Sequence, residues 1–306
     1  MKAIAWIGLG FMGNPMSKHM LNAGYIVRGV DIDSAARKAA AENGVDICAT
    51  VAEACRGVEA VFTMLPTGSE VKEVLTGPNG VFATIDPDTV VIDCSTIGIE
   101  NARAVHASAQ KAGRIFAEAP VSGGTEGAID ASLTFMIGCE DPQVARVKEL
   151  LGPMGGYIAH AGGPEAGQAA KVVNNLIMGV CVAVNCEATA LAERLGLNLK
   201  EFFEIAIRST ADNWTFRVWN PGVGVVASAP ASKGYKAGFK TWLLAKDLSL
   251  AMEAGREVGA TIATAEAAHA ILKKHIDNGG ADMDATSLVL SLKEAAEKTA
   301  PQKAIA

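Results

Sequence analysis

The 306-residue chain reads as an α/β protein, a doubly wound sheet at the N-terminus followed by an all-α domain that opens with one long helix. Three observations predict this. Short apolar runs alternate with helical periods from residue 3 to about 160, the pattern of a sheet covered on both faces. A glycine-spaced loop, Gly8-Leu9-Gly10-Phe11-Met12-Gly13, separates the first apolar run from the first helical pattern. After Ala161-Gly162-Gly163-Pro164 the texture is helical to the end. The expected domains are therefore 1–162 and 163–306, joined through the long helix.

Composition narrows the class. Apolar residues make up 50% and charged residues 20%, enough for a sizeable core. A formal net charge of −6 with mixed signs gives no basic field, so nucleic acid is not an expected partner. The six cysteines form no CxxC pair and the five histidines no ligand spacing, so neither disulfides nor a metal is expected. Met1-Lys2 runs straight into a strand-like segment with no leader pattern, and a cytoplasmic protein is the expectation. The most apolar window, 169–184, is interrupted by Lys171, Asn174 and Asn175, which makes it a core helix rather than a membrane span.

The elements follow in order. Residues 3–8 (AIAWIG) read as a strand buried on both faces, and a helix runs on from Gly13 until Gly24 stops it. Gly8 permits the tight turn, Gly10 lets the backbone approach a pyrophosphate, and Gly13 lets helix and strand pack closely. Phe11 and Met12 complete this dinucleotide fingerprint of Rossmann type, with free N–H groups at the helix start for phosphate. Asp31 ends the second strand (26–31), 18 residues after Gly13, where a carboxylate accepts ribose hydroxyls and repels a 2′-phosphate. NAD is favoured over NADP; Arg28, on the strand itself, is a weak counter-argument.

Helices are expected at 34–43, 68–75 and 99–112, strands at 58–64, 89–93 and 114–117, and a final strand pair at 133–138 and 157–159 around a helix at 141–151. Ligands of such sheets bind beyond the carboxyl ends of the strands. Leu65, Pro66 and Thr67 follow one strand, Ser95 and Thr96 the next, and Glu118-Ala-Pro-Val-Ser122-Gly123-Gly124 a third. The Ser-Gly-Gly turn either holds a small anion such as a carboxylate or is an ordinary polar turn.

The second half reads as helices at 164–195, 199–208, 211–217, 239–258, 262–276 and 284–297, with a polar, alanine-rich tail after about Lys298. The first is apolar almost all round, as a buried helix is, yet it carries Lys171 and Asn175 one turn apart on one face. Lys246-Asp247 reads alone as a surface pair at a helix edge. Trp214 and Trp219 read alone as packing between domains.

Four blocks, IGLGFMG, EAPVSGG (118–124), GQAAKVVNN (167–175) and GFKTWLLAKDL (238–248), together resemble the β-hydroxyacid dehydrogenase family over nearly the whole chain. NPGVGV at 220–225 resembles its 3-hydroxyisobutyrate branch. The resemblance implies that Lys171 is the catalytic lysine and that Ser122, Gly123 and Asn175 hold the substrate's carboxylate and hydroxyl, with Gly124 in the same loop. It implies that Lys246 reaches the cofactor and active site with Asp247 beside it, that Leu65, Pro66 and Thr96 contact the cofactor, and that Trp214 and Trp219 wall the substrate pocket. Glu118 departs from the family's usual Asp and, lying upstream of the loop, is expected to matter little.

The chemistry expected is hydride transfer between a short 3-hydroxy acid and NAD, with Lys171 exchanging the hydroxyl proton. An unperturbed lysine has a pKa of about 10.4, so a basic Lys171 has to be shifted down by burial and nearby positive charge. Competing expectations are a tartronate semialdehyde reductase, an oxidoreductase acting on serine or another short β-hydroxy acid, and a non-catalytic NAD-binding protein. The apolar second domain predicts a homodimer or homotetramer.

Overall fold

The structure, a computed structural model, describes residues 2–299; the tail from residue 300 lies outside them. It divides into two compact units, the first ending at Val172 and the second beginning at Val173.

The first unit alternates strands and helices: β1 (Ala3–Ile7), α1 (Gly13–Asn22), β2 (Ile26–Val30), α2 (Ser34–Glu42), β3 (Asp46–Ile47), α3 (Val51–Ala54), β4 (Ala60–Thr63), α4 (Gly68–Thr76), α5 (Val81–Thr84), β5 (Val90–Asp93), α6 (Ile99–Ala112) and β6 (Ile115–Glu118). Then come β7 (Val121–Ser122), α7 (Gly124–Ile129), β8 (Leu133–Gly138), α8 (Val144–Leu151), β9 (Gly155–Gly162) and the start of α9 (Ala166–Arg194). The sheet runs β3-β2-β1-β4-β5-β6, all parallel, the order of a Rossmann sheet. Alternate strand residues face opposite layers. Ile4, Trp6 and Phe62 share a core with Met16 and Met20 of α1, whereas Ala5, Ile7 and Val61 share one with Val71 and Leu75 of α4 and Val105 of α6. Trp6 stacks on Phe62 at 4.9 Å between ring centroids.

The sheet is not parallel throughout. β8 runs antiparallel to β6 and β7 and pairs in parallel with β9 on its other side. An apolar run reports how a strand's faces are buried and does not by itself fix its direction, so a mixed edge of this kind is not readable from apolar runs alone. Also unforeseen are the two-residue β3 and β7 and the short α3, α5 and α7, segments too brief to display a period.

The second unit continues α9 and adds α10 (Leu199–Ala206), α11 (Trp214–Val218), α12 (Thr241–Val258), α13 (Ala263–His275) and α14 (Leu288–Thr299). Val182, Cys186 and Ala190 of α9 share its core with Leu244 and Leu248 of α12, Leu272 of α13 and Leu288 of α14. A methyl group on Gly179 would lie 2.8 Å from Leu248 Cδ2, so Leu248 would have to shift to admit even an alanine where α9 packs on α12. α9 alone among the described residues is long and apolar enough to cross a membrane, and half of its most apolar window is buried inside the protein. It is not buried on every side: Val173, Ile177, Val184 and Leu191 are exposed. The unit division at Val172/Val173 falls inside α9, ten residues beyond the sequence-based position at 162/163, because the first turns of this helix are bonded to the first unit.

Candidate active site

The glycine loop is built as the spacing demands. Gly8 takes φ +94°, and a Cβ there would sit 2.3 Å from the Met64 carbonyl oxygen. A Cβ on Gly13 would fall 1.9 Å from the Gly8 carbonyl oxygen. That same carbonyl accepts the Trp6 indole N–H at 3.0 Å, which ties the loop to the sheet. Gly10 differs: a methyl group there meets nothing within 4 Å. The backbone at Gly10 thus faces open space, the cradle a pyrophosphate needs.

Asp31 follows β2. Its Oδ2 accepts the Leu9 N–H at 2.6 Å and its Oδ1 the Asp33 N–H at 2.8 Å. Each oxygen keeps lone-pair capacity for a vicinal diol. The neighbouring guanidinium groups are committed to carbonyls: Arg28 donates to Arg56 at 2.7 Å, and Arg37 donates to the Asp31 and Ile32 carbonyls. These residues fit the adenosine ribose of NAD, and Ile32, 96% exposed beside Asp31, is an apolar surface the sequence reading missed.

The next two strand ends are cross-tied. Leu65 N–H donates to Ser95 Oγ at 2.8 Å, and Ser95 Oγ donates to Asp93 Oδ1 at 2.6 Å. Thr63 Oγ1 donates to the same Asp93 oxygen at 2.7 Å, while Asp93 Oδ2 is buried without a hydrogen-bond partner. Burial raises the Asp93 carboxyl to about 6. Leu65 and Thr96 lie half-buried and Pro66 exposed at this edge.

Ser122 ends β7, and Gly123 (φ +132°) and Gly124 (φ +64°) turn the chain into α7, a left-handed pair that side chains resist. Upstream, Glu118 is fully buried, accepts the Gly167 N–H at 3.2 Å on Oε1 and bonds His106 Nε2 through Oε2. Gln168 donates to the Ser95 carbonyl at 2.8 Å and accepts the N–H groups of Ile97 and Gly98. The helix that carries Lys171 is therefore bonded to the ends of β5 and β6 just before the lysine. Lys171 itself is buried. The sequence reading expected Glu118 to matter little and left Gln168 out, because nothing in their spacing announces a bond to a distant element.

In the second unit, Asn175 follows Lys171 by one turn of α9. Asn175 Nδ2 donates to Asp247 Oδ2 at 2.6 Å, and Asn174 Nδ2 donates to Asn175 Oδ1 at 3.0 Å. Lys246 Nζ lies 3.2 Å from Asp247 Oδ1 in an ion pair that lacks hydrogen-bond geometry. Asp247 is only 3% exposed, so the pair is not at the surface; Asp247 points back to α9 because it shares the inner face of α12 with Leu244 and Leu248. Trp214 and Trp219 meet edge to face at 6.2 Å, and Trp219 continues to Phe239 at 5.9 Å. Asn213 caps α11, and Asn185 of α9 bonds to Asn213 and Thr215, fixing this segment. Phe239 is a third aromatic that the sequence reading left out. Among the described residues no group of three or more His, Cys, Asp or Glu side chains is arranged to hold a metal ion.

A Rossmann sheet with an open glycine cradle and a ribose-type carboxylate, continued by a helical unit through a lysine-bearing helix, belongs to the NAD-binding oxidoreductases. Residues 3–163 match the NAD binding domain of 6-phosphogluconate dehydrogenase, and residues 165–292 match the NAD-binding family of NADP-dependent 3-hydroxyisobutyrate dehydrogenase. A 3-hydroxyisobutyrate dehydrogenase of Pseudomonas aeruginosa is 39% identical over 261 residues, 85% of this chain and 88% of the relative. An NAD-dependent L-serine dehydrogenase of the same organism is 39% identical over 284 residues, 93% of this chain and 95% of the relative. The solved structure of a Mycobacterium tuberculosis 3-hydroxyisobutyrate dehydrogenase with L-serine matches with a TM-score of 0.86 at 40% identity, covering 96% of this chain and 99% of that one. The chain belongs to the β-hydroxyacid dehydrogenase family, within its 3-hydroxyisobutyrate dehydrogenase group, and carries its NAD-binding domains.

Proposed function

We propose that the chain oxidises 3-hydroxyisobutyrate to methylmalonate semialdehyde, with Lys171 as the group that takes the hydroxyl proton. The observation that carries this reading is the buried polar face of α9, where Lys171 is followed one turn later by Asn175 with its amide held by Asp247. When bound, NAD supplies the hydride acceptor. The remaining work falls to side chains. The loop at Ser122, Gly123 and Gly124 holds the substrate carboxylate. Neutral Lys171 removes the hydroxyl proton as the carbinol C–H hydride departs, and returns it in the reverse direction. Asn175, oriented by Asp247, donates its second amide N–H to the substrate hydroxyl. Gly8, Gly10, Phe11, Met12, Gly13, Asp31, Leu65, Pro66, Thr96 and Lys246 hold the cofactor, and, as the family resemblance implies, Trp214 and Trp219 wall the substrate pocket.

L-serine is the second reading. It is favoured by the likeness to the L-serine dehydrogenase, which spans 93% of the chain. A kcat/KM panel of 3-hydroxyisobutyrate, L-serine and, in the reverse direction, tartronate semialdehyde, each with NAD and NADP, decides between them. The highest kcat/KM for 3-hydroxyisobutyrate with NAD is the expected result, and a clear preference for serine would replace the proposal.

We also infer self-association. Ile177, Val184 and Leu191, spaced by sevens, form an exposed apolar row along α9 of the kind that a second copy covers. A homodimer or homotetramer is expected in light scattering. The six cysteines are free, which fits a reducing, cytoplasmic setting.

A further inference from the structure

Three elements of the first unit converge at one point with no room to spare. A Cβ added to Gly138, at the end of β8, would lie 1.9 Å from Glu118 Oε1 and 2.6 Å from the Gly167 nitrogen. A Cβ added to Gly167 would lie 2.4 Å from the Met136 carbonyl oxygen and 2.8 Å from the Gly138 nitrogen. Two glycines thus let the first turn of α9 settle onto the sheet until its N–H reaches the Glu118 carboxylate at 3.2 Å. The other carboxylate oxygen is taken by His106 of α6, whose ring sits edge-on to Phe116 at 4.7 Å. Glu118 stands opposite Gly138 in the β6–β8 pairing, so its height is fixed by the sheet itself. The same turn of α9 is held sideways by Gln168 and by Glu165, which takes φ +75° and pairs with Arg103 of α6 at 3.0 Å. A left-handed conformation at a non-glycine residue is strained and persists only where its surroundings hold it.

We propose that Glu118, seated by His106 and by the close approach of Gly138 and Gly167, is a positioning residue that sets the height of α9 over the sheet and so aims Lys171. Lys171 comes four residues after Gly167 and therefore lies on the same helix face, one turn on. An error in the height of the first turn passes directly to the lysine, because a helix is stiff over one turn. The carboxylate also sits at the positive end of the helix dipole, which strengthens the bond it makes. Glu118 touches neither substrate nor cofactor in this role and acts only through the helix.

This inference rests on the assignment of Lys171 as the acid–base group, and the test separates the two. Glu118→Leu removes the acceptor at similar volume. Glu118→Gln keeps an oxygen for Gly167 and sets an amide N–H opposite His106 Nε2. The expected result is a fall in kcat of tenfold or more for Glu118→Leu, on the scale that misplacement of a catalytic group by about 1 Å produces. NADH affinity stays at the wild-type value, and Glu118→Gln restores most of kcat. Gly167→Ala pushes the helix off the sheet with every polar group intact, and is expected to show the same loss of kcat at constant NADH affinity if Glu118→Leu is insoluble. Wild-type kcat in Glu118→Leu or, in its place, in Gly167→Ala overturns the proposal, as does a loss that tracks NADH affinity and melting temperature instead of kcat. Lys171→Ala run alongside tests the underlying assignment: if it alone keeps kcat, the acid–base reading fails.

Discussion

Asn175 donates its side-chain N–H to Asp247 Oδ2 over 2.6 Å, between two residues that are both buried. An asparagine amide can be turned over without changing its shape, and a carboxylate partner removes that freedom because it can only accept. Asp247 thereby dictates which way Asn175 faces. Asp247→Ala is expected to lower kcat/KM for the hydroxy acid by roughly ten- to a hundredfold, the range set by loss of one charged hydrogen bond of about 1.5–3 kcal/mol. NADH titration by fluorescence should show little change in affinity.

Asp31 is the residue we assign to the choice of cofactor, and its two backbone bonds mean that removing it also loosens the glycine loop. Replacing Asp31 by Ser while placing Arg at the exposed Ile32 removes the repulsion toward a 2′-phosphate and adds an attraction. The ratio of kcat/KM for NAD to that for NADP is expected to invert. A double variant that still favours NAD would remove Asp31 from its assigned role.

Much of this could be read before any coordinates. Gly8 and Gly13 are required by backbone geometry, and such requirements are visible as bare spacing. The helix of Lys171 and Asn175 was visible as a polar face on an apolar period. Less visible were Asp93 and Glu118, buried carboxylates at strand ends whose partners Thr63, Ser95, His106 and Gly167 come from other elements. Asp247 read alone as a surface residue and only the family resemblance placed it at the site, since its neighbours in sequence say nothing of Asn175, 72 residues away. Phe239 joins Trp219 only through folding. Contacts of this kind are products of topology, and local pattern does not contain them.

Asp93 gives a pH dependence whose sign can be worked out. Burial raises its carboxyl to about 6 in the folded state, above the unfolded value of about 3.9. Between these two values the folded protein binds more protons than the unfolded chain, so stability falls as pH rises from about 4 to 6 and is flat beyond, as far as this group is concerned. Glu118, also raised by burial, adds to the slope with the same sign. The Asp93 contribution is on the order of 2–3 kcal/mol. Asp93→Asn keeps the acceptor for Thr63 and Ser95 and has no charge to desolvate. It is expected to match wild type in denaturant melts near pH 4.5 and to exceed it at pH 7.5.

The aromatic series Trp214, Trp219 and Phe239 provides a test of substrate fit. Trp219 is central to it, in contact with both of the others, whereas Trp214 is 54% exposed. Trp219→Leu leaves an apolar side chain but opens the space between its neighbours. KM for the hydroxy acid is expected to rise with KM for NAD unchanged, and longer 3-hydroxy acids should gain relative to 3-hydroxyisobutyrate. Equal changes in both KM values would mean that the ring supports the fold and not the pocket.

The glycine loop separates stability from binding at two positions three residues apart. At Gly13 an alanine methyl would fall 1.9 Å from the Gly8 carbonyl oxygen, backbone that cannot move without parting α1 from β1. Gly13→Ala is expected to cost about 1–3 kcal/mol of stability, the range for overpacking a filled site, and to lose NADH binding with it. At Gly10 the same methyl meets no protein atom within 4 Å, and the residue has no positive φ to strain. Gly10→Ala should therefore melt with wild type and yet bind NADH at least about tenfold more weakly, ~1.4 kcal/mol, because the methyl occupies the approach to the pyrophosphate. Calorimetric melts and NADH titrations of the two variants check this. Tight NADH binding by Gly10→Ala would mean that the cradle lies elsewhere on the loop.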